Sequence, residues 1–111
     1  MIGDTMQSFF SLDELLQQRL AADRRYLEFL RVPALSCGLY VLAAGAVDPQ
    51  KPHKEDEVYY VIRGVARMVV GGEDRPVAPG DVIFVRALEE HRFHSITEEL
   101  VVLVMFAPAE S

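Results

Sequence analysis

Residues 52–64 read PHKEDEVYYVIRG, and this stretch combines a strand-like run with side chains that can bind a metal. From Val58 to Ile62 every residue is β-branched or aromatic, the type enriched in strands. Successive side chains of a strand point to opposite faces, so this run needs protein or a lined cavity on both sides. A closed barrel or jelly roll meets that need better than an open sheet.

Further β-prone runs follow Pro33 and are separated by turn formers. The runs are residues 36–42, 57–62, 66–70, 82–85, 91–96 and 100–106, and the turn formers between them are Gly45, Arg63-Gly64, Gly71-Gly72-Glu73-Asp74 and Pro79-Gly80-Asp81. This alternation predicts several short antiparallel strands. We therefore predict an all-β fold, a jelly-roll barrel that occupies residues 34–111.

The residues before Pro33 predict helix instead. Ser11-Leu12-Asp13-Glu14 has the form of a capping box, which marks a helix start. Leucines then recur at roughly helical spacing, at Leu12, Leu15, Leu16, Leu20, Leu27 and Leu30. We predict an amphipathic helix or helix pair that ends before Pro33, so that residues 1–33 form an N-terminal helical extension. Its apolar stripe should pack on the outside of the sheet or on a partner subunit.

Length and charge restrict the classes of partner. With 111 residues the chain fits one domain, and its net charge of −6 disfavours binding to a phosphate backbone, so we expect no nucleic-acid partner. Cys37 is the only cysteine, and the start MIGDTMQSFF has no export-signal pattern, so we expect a cytoplasmic protein. The longest nearly unbroken apolar stretch, residues 100–107, is far shorter than the ~20 residues of a membrane-spanning helix, so we expect no membrane insertion.

Three residues have the chemistry of a metal site. His53 and Glu57 lie four positions apart at a strand start, so strand alternation places both side chains on one face. His91 opens another strand, and antiparallel pairing can bring it beside them. Two imidazoles and a carboxylate suit a divalent transition metal, with Fe, Mn, Ni, Co and Zn fitting about equally. Spacing alone leaves the alternative open that all three are solvated surface residues.

The chain resembles the cupin family in two motifs. The first is a His-X-His pair followed by Glu and Gly, and this sequence has Lys51-Pro52-His53, Glu57 and Gly64 at the matching spacing. The second opens with a Gly and continues to a His, matched by Gly80 and His91. The resemblance covers roughly residues 34–108. It implies a double-stranded β-helix fold, a metal on His53, Glu57 and His91, and a dioxygenase- or isomerase-like activity.

Departures from the family pattern put the fourth metal ligand in doubt. Lys51 stands where the family has its first His, and an ammonium group is a poor ligand. Gln50 is the candidate replacement, because its amide oxygen can turn toward the metal if the chain bulges at Pro52; water is the competing occupant. In the second motif Arg86, Leu88 and Ser95 replace the family's Pro, Gly and Asn, which leaves the spacing to His91 intact.

Several other residues have two readings. Tyr59 and Phe93 share strand parity with Glu57 and His91, so we expect them to line a substrate pocket, although core packing explains them equally well. Lys51 is a further candidate for substrate binding. His94 should leave the opposite strand face from His91. Cys37 should be a small packed hydrophobe.

Two functions remain open at this level. One is a metal-dependent enzyme, dioxygenase- or isomerase-like, that acts on a small organic molecule inside the barrel. The other is a non-catalytic module or sensor that binds a small ligand with weak metal binding or none, and a metal-free structural role is a third reading. The apolar helix and the strands with two apolar faces further predict a homodimer.

Overall fold

A computed structural model describes residues 7–111; positions 1–6, which belong to the predicted extension and to the export-signal argument, lie outside this range. The elements in chain order are α1 (Leu12–Ala22), β1 (Tyr26–Val32), β2 (Leu35–Leu42), β3 (Asp56–Val70), β4 (Glu73–Val77), β5 (Val82–Val85) and β6 (His91–Ala107). Among the described residues, no helix has the length and hydropathy needed to cross a membrane.

The strands form an antiparallel jelly roll, as predicted. The order is β1-β2-β6-β3-β4, and β5 also pairs with β3. The two long strands, β3 and β6, pair along nearly their whole lengths, from Glu57 opposite Phe106 to Val70 opposite His91. The first part of β3 also pairs with β5, and its last part pairs with β4. Because β3 pairs with β6 along most of its length and also pairs with β5 and β4, the two long strands curl around a common interior.

A glycine allows the bend in the middle of β3. Register shifts interrupt the β3–β6 pairing between Val61 and Arg67, and Gly64 lies within this stretch with a φ of +108°. A Cβ atom at Gly64 would lie 2.4 Å from the carbonyl oxygen of Glu99 and 2.6 Å from the Cα of Leu100. The backbones therefore meet too closely for any side chain here, which gives the glycine of the first motif a steric reason.

Two apolar clusters hold the structure together. The larger one fills the barrel interior and includes Tyr59, Phe93 and Leu100. The smaller one lies between helix α1 and the outer face of the sheet, where Leu15 packs with Leu39, Val41 and Val101. The helix therefore covers its own barrel at this place, which was one of the two packing modes expected for its apolar stripe.

The predicted helix is shorter than expected. Ser11 does cap it, accepting a hydrogen bond from the backbone N–H of Glu14 at 3.4 Å, but it ends at Ala22. Asp23 follows in the left-handed conformation, and its N–H donates to the carbonyl of Leu20. The helix prediction for residues 23–30 is wrong because Leu27 and Leu30 lie in β1, where pairing with β2 overrides their helix-like spacing.

The strand prediction missed two strands, β1 and β4, and divided two others. Residues 57–62 and 66–70 belong to the single strand β3, and residues 91–96 and 100–106 belong to β6. Residues 73–77 form β4, although Glu73 and Asp74 were assigned to a turn and Pro76 disfavours a strand interior. β4 ends the strand order beside β3, and proline is tolerated at such an edge.

Candidate metal centre

The structure brings His53, Glu57 and His91 together inside the barrel. His53 precedes β3, Glu57 is the second residue of β3, and His91 is the first residue of β6. One ligand atom from each residue lies within 4.8 Å of the other two. Glu57 is 1% exposed and His91 5% exposed, so the reading of all three as solvated surface residues does not hold.

Both imidazoles present the same nitrogen to the centre. Nδ1 of His91 lies 2.9 Å from the carbonyl oxygen of Glu89, and Nδ1 of His53 lies 3.3 Å from a carboxylate oxygen of Glu110. The carbonyl of Glu89 assigns the proton of His91 to Nδ1, and Glu110 offers an acceptor to Nδ1 of His53, so that each ring can turn the lone pair of Nε2 to the centre. Nε2 of His91 lies 2.9 Å, and Nε2 of His53 3.9 Å, from Oε1 of Glu57. Metal-binding histidines are typically oriented by such outer acceptors.

Unsatisfied atoms at the centre show that the residues present fit a cation. Both carboxylate oxygens of Glu57 and Nε2 of His91 are buried and make no well-aligned hydrogen bond among the described residues, although Nε2 of His91 lies 2.9 Å from Oε1 of Glu57. Leaving a buried polar group without a partner costs about 1–3 kcal/mol. A divalent cation would satisfy all three atoms at once, and two imidazole nitrogens with a carboxylate are a donor set that transition metals prefer.

Two electrostatic effects on the pKa of His91 oppose each other. Burial favours the neutral form of His91, but contact with the Glu57 carboxylate, the Glu89 carbonyl and the charge of Asp48 together raise its pKa above the ordinary value. Without a cation, the buried negative charge of Glu57 is therefore balanced by attracting a proton to its neighbour. A metal ion would compete with that proton for the same atoms.

Gln50 faces the same centre and is held in one orientation. Its amide nitrogen donates to Asp48 at 2.8 Å, and its amide oxygen accepts from the hydroxyl of Tyr59 at 2.8 Å. The same oxygen lies 3.4 Å from Nε2 of His53. These two partners fix which end of the amide points inward, and it is the oxygen.

Asp48 anchors this arrangement and was missed by the sequence analysis. It is 5% exposed, and besides Gln50 it accepts from the Tyr40 hydroxyl at 2.6 Å and from the backbone N–H of Phe93 at 2.9 Å. It thereby ties the loop that carries Gln50 to strand β6, two residues after His91. Asp48 lies in a loop outside the periodic segments, so only its position next to Pro49 and Gln50 pointed to it.

Tyr59 and Phe93 lie in the core beside the centre and are not among the described residues that line the adjacent cavity, so their predicted part in substrate binding stays a prediction. The two aromatic rings are 0% and 1% exposed and meet edge to face with centroids 5.1 Å apart. The Tyr59 ring lies 6.0 Å from the ring of His91, and burial, followed by the charge of Glu57, raises the pKa of its phenol. Lys51 is exposed and borders a surface groove of about 360 Å³ that Gln50 and His91 also line, and its predicted part in substrate binding stays a prediction.

His94 and Cys37 lie away from the centre, as predicted. Nε2 of His94 lies 3.0 Å from both carboxylate oxygens of Asp74, on the surface formed by β4 and β6. Cys37 is 7% exposed within β2, and burial raises the pKa of its thiol. Neither side chain contributes an atom to the cluster of His53, Glu57 and His91.

Two cavities differ in their relation to the centre. One, of about 180 Å³, borders the centre directly because His53 and Gln50 form part of its wall. A larger groove, of about 570 Å³, is bordered by β4 and β5 residues such as Pro76 and Phe84 and by none of the three cluster residues. Of these two, only the smaller cavity borders the centre, and the groove of about 360 Å³ beside Lys51 also reaches the centre through Gln50 and His91.

Comparisons with known proteins agree with the fold. A family model described as the cupin domain matches residues 38–107. An uncharacterized protein of Streptomyces coelicolor is 53% identical over 102 residues, which are 92% of this chain and 97% of that protein. The structure of KdgF from Halomonas sp. superposes with a TM-score of 0.72 at 20% identity, over 93% of this chain and 94% of that one.

A second similar structure is longer than this chain. The DMSP lyase DddQ from Ruegeria pomeroyi superposes with a TM-score of 0.67 at 21% identity over 75% of this chain. The chain spans about half of that lyase, since the superposition covers 47% of the lyase chain. At this level of identity the likeness concerns the fold alone.

Proposed function

The chain belongs to the cupin family, and we propose that it is a metal-dependent enzyme that binds one divalent transition metal on His53, Glu57 and His91 and acts on a small organic molecule in the barrel. The observation that carries the proposal is the convergence of two Nε2 atoms on one buried carboxylate, which makes no well-aligned hydrogen bond in the described structure although Nε2 of His91 lies 2.9 Å from one of its oxygens. This donor set suits Fe, Mn, Ni, Co and Zn about equally.

We propose Gln50 as the fourth ligand, in place of the family's first histidine. Its oxygen already faces Nε2 of His53, and an amide oxygen has a second lone pair besides the one that accepts from Tyr59. Amide oxygens bind hard and borderline divalent cations. Lys51 occupies the position of the family's first histidine in the sequence, but it is exposed. We therefore assign the fourth ligand position to Gln50.

The chemistry follows from the surroundings of the centre. A bound divalent metal supplies a Lewis acid that polarises an oxygen of the bound molecule. The rings of Tyr59 and Phe93 keep water away from one side of the centre, and burial keeps the Tyr59 phenol protonated so that it remains a hydrogen-bond donor. Dioxygenase- or isomerase-like turnover is the class of reaction that we propose. The DMSP lyase DddQ shows that a barrel of this fold can belong to an enzyme.

A non-catalytic small-ligand module is the alternative, and one observation favours it. The set of three histidines and one glutamate is incomplete because Lys51 replaces a histidine and points into solvent. A protein of this kind would bind a small molecule and convert nothing. Fold alone does not decide between the two, since one barrel can host many functions.

Metal content and thermal stability test the metal-binding part of the proposal. We expect elemental analysis of the purified protein to find about one transition metal per chain. A metal that binds only the folded state stabilises it by about 2.7 kcal/mol at a hundredfold excess over Kd, so chelation should lower the melting temperature and metal addition should restore it. A protein that neither carries nor responds to a divalent metal would reject the enzyme in favour of the ligand-binding module.

We also propose that the chain forms a homodimer through an outer sheet face, defined by Tyr60, Val82, Phe84, Leu103 and Met105. Cross-strand pairing places these side chains on one surface, because Tyr60 lies opposite both Val82 and Leu103. Val82 is 66% and Phe84 59% exposed. Helix α1 covers a neighbouring part of the same face at Leu39, Val41 and Val101, since Leu39 lies opposite Leu103. An exposed apolar patch of this kind is typical of an interface.

A further inference from the structure

His53 is the member of the proposed metal centre that lies outside the strands. Glu57 and His91 belong to the paired strands β3 and β6, whereas residues 54–55 form a bend between His53 and β3. The carbonyl of His53 accepts from the backbone N–H of Leu88 at 2.7 Å, which fixes the main chain before the bend. The orientation of the imidazole ring therefore depends on further contacts of its side chain.

Residues 108–111, which follow β6, form a strap beside this bend. The N–H of Glu110 donates to the hydroxyl of Ser36 at 2.9 Å. The N–H and the hydroxyl of Ser111 both donate to the same carboxylate oxygen of Glu55, at 3.1 and 2.9 Å. The strap therefore joins strand β2 to the bend before β3.

The residues that hold the strap are buried polar groups. Ser36 is 0% and Glu55 5% exposed. Burial of a polar group costs free energy unless hydrogen bonds replace those to water, and the strap supplies such bonds to both residues. Because Glu55 lies in the bend itself, its bonds to Ser111 tie the strap to the main chain two residues after His53.

The strap brings the side chain of Glu110 to the imidazole of His53. Oε2 of Glu110 lies 3.3 Å from Nδ1 of the ring, and Oε1 of Gln50 lies 3.4 Å from Nε2. A neutral imidazole without a metal can carry its proton on either nitrogen, with Gln50 or Glu110 as the acceptor. A metal takes the lone pair of Nε2, so the proton must then be on Nδ1, which faces Glu110.

A carboxylate at Nδ1 has two effects on a metal-bound imidazole. It holds the ring in one orientation, and it makes the other nitrogen a more basic ligand. Loss of such an outer acceptor typically weakens metal binding about 10- to 100-fold. The side chains of His53 and Glu110 are 20% and 28% exposed, so water only partly screens this contact.

We infer that Glu110 is a positioning residue of the metal centre, which accepts a hydrogen bond from Nδ1 of metal-bound His53 while Ser36 and Glu55 hold the strap that presents it. The inference rests on the proposed function for the metal itself. It goes beyond that function by assigning part of the metal affinity to residues 108–111. Glu110 acts through His53 and is not one of the ligands.

Zinc affinity of the full-length protein, measured by competition with a chromogenic chelator, tests the inference. Glu110→Ala should bind zinc about tenfold more weakly. Glu110→Gln keeps an acceptor oxygen but loses the charge, so it should lose only about threefold. Glu99→Ala removes the same charge at an exposed site paired with Arg63 and should bind like the unchanged protein.

A double-mutant cycle separates positioning from a general structural role. In the His53→Ala background, Glu110→Ala should weaken zinc binding by less than about twofold, because the ring through which it acts is gone. The urea midpoint of the metal-free Glu110→Ala protein should match that of the unchanged protein, since the strap keeps the bonds of its main chain to Ser36 and Glu55.

Ser36→Ala tests the part played by the strap. It removes the acceptor of the Glu110 N–H and should lower zinc affinity about threefold, while Ser95→Ala at an exposed position beside His94 should not. Equal affinity in Glu110→Ala and the unchanged protein, equal losses in Glu110→Ala and Glu110→Gln, or the full tenfold loss in the His53→Ala background would overturn this inference alone. An unchanged protein that binds no zinc would instead reject the proposed metal centre and the inference with it.

Discussion

At the scale of the residue, Asp48 is the side chain on which the geometry of the centre depends most. It accepts three hydrogen bonds inside the protein, from Tyr40, Gln50 and the backbone of Phe93. The first-motif spacing was enough to find His53 and Glu57, although His53 precedes β3 and reaches Glu57 across the bend at residues 54–55 and not by strand alternation. Asp48 was not predictable, because its role depends on where a loop meets strand β6, and no periodicity in the sequence encodes that contact.

Asp48→Ala should therefore affect both stability and metal binding. Three buried donors would lose their acceptor, so we expect a loss of about 3 kcal/mol in the free energy of unfolding. Gln50 would lose the partner that orients its amide, and zinc affinity should fall about tenfold or more, as for other residues that orient ligands. Urea unfolding and competition with a chromogenic chelator measure the two effects. Asp74→Ala, on the surface beside His94, is the control and should change neither by much; equal effects in both variants would disprove the positioning role.

At the scale of the element, helix α1 shows what a periodic pattern can and cannot predict. The capping box at Ser11 located its start, because capping depends on residues within one turn. Its end was not predictable from leucine spacing, since Leu27 and Leu30 fit a helix as well as a strand and only pairing with β2 decides. The same limit applies to β4, whose pairing with β3 occurs despite Pro76.

Two leucines of the helix provide a matched pair for testing its packing. Leu15 is 7% exposed and packs against Leu39, Val41 and Val101, whereas Leu20 is 71% exposed. Leu15→Ala should lower the free energy of unfolding by about 2–5 kcal/mol, the range for a leucine removed from a core. Leu20→Ala should change it by less than about 0.5 kcal/mol. Chemical denaturation measures both values, and similar values would show that the helix does not pack on the sheet as described.

At the scale of the whole molecule, the dimer that we propose through the outer sheet face makes the clearest prediction. Light scattering at micromolar concentration should return the mass of a dimer. Phe84→Glu would place a charge in the apolar interface that we propose, and it should shift the mass toward that of the monomer. Leu88→Glu, at an equally exposed position in the loop after β5, should leave the dimer intact. A monomer in the unchanged protein would contradict the proposal.

The fold of the whole molecule was more predictable than its site. Strands with apolar residues on both parities and the two glycine-containing motifs were sufficient for a jelly roll, because these features act along the chain. The convergence of His53, Glu57 and His91 needed the pairing of β3 with β6. The cavity beside the centre was not predictable. Tyr26 was assigned to a helix, and residues 108–111, which carry Glu110, show no periodic pattern.

The zinc affinity of single-residue variants tests the central claim most directly. Competition with a chromogenic chelator would compare the unchanged protein with His53→Ala, Glu57→Gln, His91→Ala and His94→Ala. Because the three ligands act as one site that exists only in the folded barrel, each of the first three variants should lose about a hundredfold or more in affinity. His94→Ala should bind zinc like the unchanged protein, since its side chain pairs with Asp74 on the outside. Full affinity in His53→Ala and His91→Ala, or its loss in His94→Ala alone, would contradict the account.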